Sequence, residues 1–333
     1  MTARPRILVT GATGFVGAVL TRRLVSDGAD VRIFRRSTSA LDLLGAAASR
    51  VEHAVGDVTQ ARSVHEALDG IDRVYHVAAR VGFGAGEEAA LYRVNVEGTA
   101  NVVNAALAAD VDRLVCTSSM AAFGRPVDAN TVIDETTAWR DAPHRSVYAR
   151  TKRQAELEVH RGIAEGLDAV IVNPALIFGV GNESTRTRRI VEAVRSGWLP
   201  AVPPGGTNVV DVQDVAAGHR KAMRQGETGR RYFLGGENLS WHQIVGALAE
   251  AFGVSAPRYT APPALLTAGG ALAEATGLLT RSRPVFTRSL ARTAARTYRY
   301  TNERARNELG CTFRPFAETA RRIARALNGS RDE

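Results

Sequence analysis

Tyr148 and Lys152 stand four residues apart in the stretch YARTK (148–152), and Lys152 is one of only two lysines in a chain that writes nearly all of its 43 Lys and Arg positions as arginine. A hydride delivered to a carbonyl leaves an alkoxide that needs a proton, and the reverse reaction needs a base. Tyrosine, with an ordinary pKa of about 10, is a poor donor and a poor base at neutral pH. A cation one helical turn away lowers that pKa, and i, i+4 spacing puts both groups on one helix face. Lysine's slim ammonium also reaches ribose hydroxyls, which a broad guanidinium meets differently. The third member should be a hydroxyl that polarises the carbonyl from the end of a preceding strand. RLVCTSS (113–119) supplies it. Ser119 is the expected group and Ser118 the alternative, because alternation along a strand cannot aim both at one pocket.

A second constellation lies at the start of the chain. RILVT (6–10) runs directly into GATGFVG, placing Gly11, Gly14 and Gly17 at a strand-to-helix turn. A backbone that turns sharply, approaches a pyrophosphate and then opens a tightly packed helix needs residues without a β-carbon there, and the helix N-terminus supplies free N–H groups. Thr13, Phe15 and Val16, between the glycines, join the expected cofactor contacts. An NAD site usually has Asp or Glu about 20 residues past the first glycine. Here strand two ends in VRIFRRSTS, with Arg35 and Arg36 where that acid would stand. Guanidinium is a good bidentate partner for a 2′-phosphate, so NADP(H) is the expected cofactor, with NAD(H) as the alternative. GDV (56–58) ends strand three; Asp57, beside Val58, either reaches the adenine amino group or caps a helix.

These groups need a scaffold. The strand signals RILVT, VRIF (31–34), VEHAV (51–55), RVYHVAA (73–79), RLVCTSS and AVIVNP (169–174) alternate with helical stretches such as 16–28 and 96–110, apolar at i, i+3, i+4 and i+7. Such βαβ alternation predicts an α/β fold, a doubly wound parallel sheet with ligands at the carboxyl ends of its strands. After residue 178 the pattern loosens through LPAVPPGG (199–206), a strand and helix start at 208–220, another strand at 230–236 and a mostly helical, Arg-rich remainder. The expected division is a nucleotide-binding domain of 1–178 plus about 207–235, and a smaller, mostly helical substrate domain of about 179–206 plus 236–330. The length of 333 residues and 45% hydrophobic content support a real core. Cys116 and Cys311 are too few for a disulfide framework, and no leader or membrane anchor is read at the N-terminus, which together predict a cytoplasmic protein. The apolar segment 262–279 is rich in Ala and Gly and reads as a helix on a core or over a pocket. Net charge is +9, but the arginines are scattered and lack aromatic interleaving, so neither nucleic acid nor membrane is the expected partner. No metal site is expected.

GATGFVG, GDV, HVAA (76–79), NVEGT (95–99), TSSMAAFG (117–124), YARTK and NPALIFG (173–179) together resemble an extended short-chain dehydrogenase/reductase, over nearly the whole chain. VVDVQDVAAGH (209–219), RRYFLGGENLS (230–240) and RARNELG (304–310) resemble the branch of dihydroflavonol reductases, 3β-hydroxysteroid dehydrogenases and hopanoid-associated sugar epimerase-like proteins. The resemblance implies a Rossmann-type nucleotide domain, with Ser119, Tyr148 and Lys152 as the catalytic set. Asn95 would support the central helix and a proton relay. It also implies a nicotinamide near Pro174, with Ala78, Ala79 and Thr117 from the same motifs among the cofactor contacts, and a second domain that closes over the substrate. Related sugar epimerases carry a pattern like R-x-x-N-x-Y-G-P at the exit of strand six. This chain reads NPALIFGVGNE, with apolar Ala175, Leu176, Ile177 and Phe178 and no proline after Gly179. The expected substrate is therefore a largely apolar carbonyl compound or its alcohol, with Ala175 and Phe178 at its wall; Phe83, in the glycine-rich loop RVGFGAGEE (80–88), either lies over it or belongs to a flexible surface loop. The cinnamoyl-CoA reductase motif NWYCY is absent. His144 is read as a solvated loop residue rather than a substrate contact. A sugar epimerase or dehydratase and a non-catalytic nucleotide-binding scaffold are the alternatives. The family also allows a homodimer through the helices at 96–110 and 147–165.

Overall fold

β-Branched runs become strands and Ala- and Leu-rich stretches become helices in regular alternation: β1 (Arg6–Thr10), α1 (Phe15–Ser26), β2 (Asp30–Arg35), β3 (Glu52–Val55), α2 (Ala61–Leu68), β4 (Arg73–His76), α3 (Glu88–Tyr92), α4 (Gly98–Ala108), β5 (Arg113–Thr117), α5 (Val147–Ala164) and β6 (Ala169–Pro174). The computed structural model describes residues 4–82, 86–126, 128, 131–140, 145–181, 186–197, 199–280 and 288–329. The second half follows as β7 (Leu176–Phe178), α6 (Arg186–Arg195), β8 (Ala201–Val202), β9 (Gly206–Asp211), α7 (Val212–Gln225), β10 (Arg231–Leu234), β11 (Glu237–Ser240), α8 (Trp241–Phe252), β12 (Tyr259–Thr260), α9 (Pro263–Thr280), α10 (Arg288–Ala294), α11 (Glu303–Leu309) and α12 (Phe316–Gly329).

Seven strands form one parallel sheet in the order β10-β6-β5-β4-β1-β2-β3. Both faces are covered, which is why its central strands read as unbroken apolar runs. Val9 and Ile33 face the layer of α1 and α7, while Leu8, Val74 and Leu114 face α2 and α4. The strand order reverses between β1 and β4, and a crevice opens there at the carboxyl ends. The sheet is thus a Rossmann-type, doubly wound one. β4 stops at His76, short of the expected 79: the Val77 N–H is shared between the Thr10 carbonyl and hydroxyl, at 3.2 Å each, and the Ala78 N–H goes to that hydroxyl, also at 3.2 Å.

β7 and β9 pair in parallel and β9 and β11 antiparallel, giving a small second sheet. With α6, α8 and α12 it encloses a separate core that includes Phe178, Val209, Ile244, Leu248, Phe316 and Ile323. The chain returns to the large sheet through α7, which packs on α1, so residues 207–211 belong to the small sheet and the crossing falls at Val212. Residues 263–280 form the helix α9, and among the described residues no helix is long and apolar enough to cross a membrane.

Candidate active site

A single cleft of about 950 Å³ runs along the carboxyl ends of the large sheet. Its floor begins at the β1–α1 turn. Gly11 has φ +67, and a β-carbon there would lie 2.6 Å from the Ala78 nitrogen. A β-carbon on Gly17 would lie 2.1 Å from the Gly11 carbonyl oxygen, so only glycine lets the helix seat on the strand. Gly14 precedes α1 without any side-chain cap. The first-turn N–H groups therefore keep no intrahelical or capping partner, and Thr13, Phe15, Val16 and Gly17 all line the cleft. This cradle fits a pyrophosphate: the glycines leave room for it, and the open N–H groups and helix dipole favour an anion.

Arg35 and Arg36 line the cleft at the tip of β2. The Arg35 Nε donates to His53 Nδ1 at 2.9 Å, while Arg36 is exposed, with its guanidinium bonded to no other described residue. Asp57 and Val58 follow at the exit of β3. The Asp57 carboxylate accepts from the Thr59 backbone and hydroxyl, both at 2.9 Å, which makes it a turn residue before α2 rather than the helix cap; that position is Gln60. Ala78 and Ala79 continue the lining, and Thr117, Lys152 and Pro174 close it where β5 and β6 end.

At that end Ser119, Tyr148 and Lys152 share the cleft. Ser146 caps α5, its hydroxyl accepting from the Ala149 N–H, and so sets the helix start that carries Tyr148. Lys152 is buried and donates from Nζ to the Thr117 carbonyl at 2.7 Å. Burial lowers its pKa, partly opposed by Cys116 and Glu156. The two serines diverge: the Ser118 hydroxyl donates to the buried Glu156 carboxylate at 2.6 Å, whereas the Ser119 oxygen accepts from the Ala121 N–H at 3.2 Å and keeps its own proton for another acceptor. Asn95 sits in a π-helical turn, Arg93–Glu97, just before α4. Its side chain accepts from the Arg80 N–H (2.8 Å) and donates to the Arg80 carbonyl (3.0 Å) and Thr151 hydroxyl (3.1 Å). It thereby ties the loop after β4 to α5 and does not line the cleft itself.

Two buried histidines brace the site. Burial, helped by the Lys152 charge, pushes His76 down to about 3, and burial pushes His219 down to about 4. Neutral His76 links Thr10 (2.8 Å) to Thr99 (3.0 Å), and Thr99 donates on to the Asn95 carbonyl at 2.7 Å. Because that carbonyl can only accept, the proton on His76 is assigned to Nε2. His219 meets the Val215 carbonyl through Nδ1 and the Thr117 hydroxyl through Nε2, at 2.8 and 2.7 Å. Thr117 therefore anchors Lys152 by its carbonyl and α7 by its hydroxyl.

The substrate side departs from the sequence reading. Ala175 lines the cleft, but Phe178 does not: it is fully buried, edge-on against Phe316 at 4.9 Å, because residues 176–178 leave the large sheet and join the small one. Phe83 and His144 lie outside the described residues. The wall is instead Met120, Leu176 and Ile177 with Trp241, Tyr298 and Tyr300 from the second lobe. The Trp241 indole donates to the Ala294 carbonyl at 3.1 Å, and Ser240 with Gln243 forms a capping box around it. That S-x-x-Q pattern is visible in NLSWHQIV and marks an aromatic side chain at a helix start.

A strand-glycine-helix cradle joined to a Ser, Tyr and Lys set defines a dinucleotide-dependent oxidoreductase site, and the comparisons with known proteins agree. The model of the NAD dependent epimerase/dehydratase family matches residues 7–235. The chain is 38% identical over 263 residues to sterol demethylase protein B of Methylococcus capsulatus, covering 78% of each. It is 34% identical over 322 residues to 2-alkyl-3-oxoalkanoate reductase of Stenotrophomonas maltophilia, covering 92% of this chain and 94% of that one. The crystal structure of gox2253 superposes with a TM-score of 0.84 at 31% identity, covering 98% and 99% of the two chains. The chain belongs to the NAD dependent epimerase/dehydratase family, the extended short-chain dehydrogenases/reductases, whose members use NAD(P) nucleotides.

Proposed function

We propose that the protein is an NADPH-dependent reductase that converts a ketone or aldehyde on a largely apolar small molecule to the alcohol, reversibly. The observation that carries this reading is the continuity of the cleft: glycine cradle, Ser119–Tyr148–Lys152 and an apolar, aromatic wall line one space. A relative at 34% identity, the 2-alkyl-3-oxoalkanoate reductase of Stenotrophomonas maltophilia, favours a carbonyl substrate over a sugar nucleotide. Gly11, Thr13, Gly14, Phe15, Val16 and Gly17 would hold the pyrophosphate, Arg35 and Arg36 a 2′-phosphate, and Lys152 the ribose. When bound, the nicotinamide supplies the hydride. Ser119 donates a hydrogen bond to the substrate oxygen. Tyr148 gives that oxygen its proton, and the buried charge of Lys152 one turn along α5 favours the tyrosinate left behind. Asn95 acts at one remove, holding the Arg80 loop against α5.

Nicotinamide fluorescence tests the cofactor reading. NADPH should bind exchangeably and more tightly than NADH. Replacing Arg35 and Arg36 together by alanine should weaken NADPH about 10- to 100-fold, as expected for lost charge-assisted contacts, and leave NADH nearly unchanged. Equal effects on both would remove the arginines from that role. A stoichiometric NAD+ that leaves only on denaturation would replace the reductase reading with the epimerase one.

A further inference from the structure

The cleft has more cations at its substrate side than the reduction of a ketone needs. Arg125, on the loop that follows Ser119, and Arg189, on α6, both line it, as do Trp241, Tyr298 and Thr207 of the second lobe. The two carboxylates among the described lining residues lie elsewhere: Glu87 is paired with Arg80 at 3.1 Å, and Asp57 is held in its turn by Thr59. Arg125 is fixed without being neutralised. It donates to the Tyr298 hydroxyl at 3.2 Å, and its guanidinium carbon lies 4.6 Å from the centre of that ring. Arg189 is exposed to the cleft and makes no polar contact with any described residue, although its neighbours Arg188 and Arg195 both pair with Glu192. An apolar wall with two guanidinium groups, and no acid opposing them among the described residues, suits an elongated apolar molecule with one anionic end. The planar fork of arginine matches a carboxylate.

We infer that the substrate carries a carboxylate on its apolar skeleton, held by Arg125 and Arg189, so that the enzyme takes an oxo acid in the reductive direction and a hydroxy acid in the oxidative one. The inference rests on the reductase reading above and narrows its substrate class. The carboxylate is a handle only. The carbonyl carbon gains the hydride, its oxygen gains the Tyr148 proton, the reduced nicotinamide is oxidised, and the acid group leaves the site unchanged. A phosphate would meet the same two arginines, and the experiment separates the two.

The test uses the full chain saturated with NADP+ and follows tryptophan fluorescence during titration with 3-hydroxydecanoate, its methyl ester and decyl phosphate. The acid should bind at least about tenfold more tightly than the ester, the scale of one charge-assisted hydrogen bond. Arg189→Gln, at an exposed position with no structural contact, and Arg125→Gln should each shrink that preference to about threefold or less. Equal binding of acid and ester, or a preference that survives both substitutions, overturns the inference. Tighter binding of decyl phosphate than of the acid overturns the carboxylate assignment. Oxidation of NADPH by methyl 3-oxodecanoate is measured separately. If the ester is reduced without any preference for the acid, the anion site falls and the reductase stands; a clear preference for the acid with no NADPH oxidation leaves the anion site and removes the reductase.

Discussion

Glu156 lies eight residues after Tyr148 on the same face of α5 and is 0% exposed. One oxygen accepts from the Ser118 hydroxyl and the Asn173 amide, both at 2.6 Å, and the other faces Arg153 at 3.3 Å and Arg231 at 3.4 Å. Glu156→Ala strands two buried donors, at about 1–3 kcal/mol each. The arginines add less: Arg153 is partly exposed to water, and Arg231 keeps the Glu135 carbonyl as a partner. The expected loss is about 3–5 kcal/mol, a large part of the roughly 5–15 kcal/mol that holds a domain together. Glu156→Gln keeps an oxygen for Ser118 and Asn173 and loses only the ion pairs, so it should cost about 1–2 kcal/mol. Urea denaturation read by far-ultraviolet dichroism measures both. The functional effect should be separable, because the Asn173 amide also donates to the Ser119 carbonyl at 3.1 Å. Freed of Glu156 in the alanine variant, Asn173 no longer fixes that carbonyl, so kcat should fall there while NADPH affinity holds, and the glutamine variant, which keeps the acceptor, should keep most of its kcat. An alanine variant within about 1 kcal/mol of the native protein would refute the reasoning, since no buried network of this kind gives so little.

Tyr148→Phe should retain NADPH binding and lose about 10²- to 10⁴-fold in single-turnover reduction of a ketone, the usual range for a positioned proton donor; a loss under tenfold would assign the proton to another group. Folded His76 and His219 titrate well below the 6.5 of the unfolded chain, so the unfolded state takes up their protons first and stability drops as the solution is acidified through 6.5. Two groups at about 1.4 kcal/mol per pH unit give a loss of about 4 kcal/mol between pH 7 and pH 5, read from urea midpoints; a flat profile there would mean that the rings are not held neutral. Gly17→Ala places a carbon 2.1 Å from the Gly11 oxygen. It should cost about 1–3 kcal/mol and weaken NADPH, both measured by thermal melting with and without nucleotide; unchanged binding would show that the turn relaxes freely.

What could be read from the sequence was what neighbours in sequence determine. The glycine turn and the Tyr148–Lys152 pair are local, one set by backbone conformation and the other by helical period, and both line the cleft. The pattern of strands gave the large sheet for the same reason. Trp241, Tyr298, Arg125 and Arg189 were not singled out, because they come from four separate segments and share one cleft only in the folded chain. Phe178 was expected at the substrate wall from its place at the exit of strand six; the chain enters the small sheet at Leu176 instead, and Phe178 turns into the core of that lobe. Glu156 had a signal in the Tyr-Lys-Glu spacing of four and four, an acid on the buried stripe of α5 beside Lys152, Ala155 and Val159.

The last strand of the large sheet, β10, is made long after its neighbour β6. It lies parallel to β6, with the Gly229 N–H bonded to the Ala169 carbonyl at 2.8 Å and the Ala175 N–H to the Leu234 carbonyl at 3.0 Å. Until synthesis reaches Leu234, the wholly buried run AVIVNP is a bare, sticky border. A fragment ending at 178 keeps every nucleotide contact named above and still invites edge-to-edge aggregation. The nucleotide half is thus not a detachable module: any dissection or domain graft has to carry 229–235 with it, and a nascent chain on the ribosome cannot finish its larger half before the whole of the smaller half's first segment, β7 to β9, has been made.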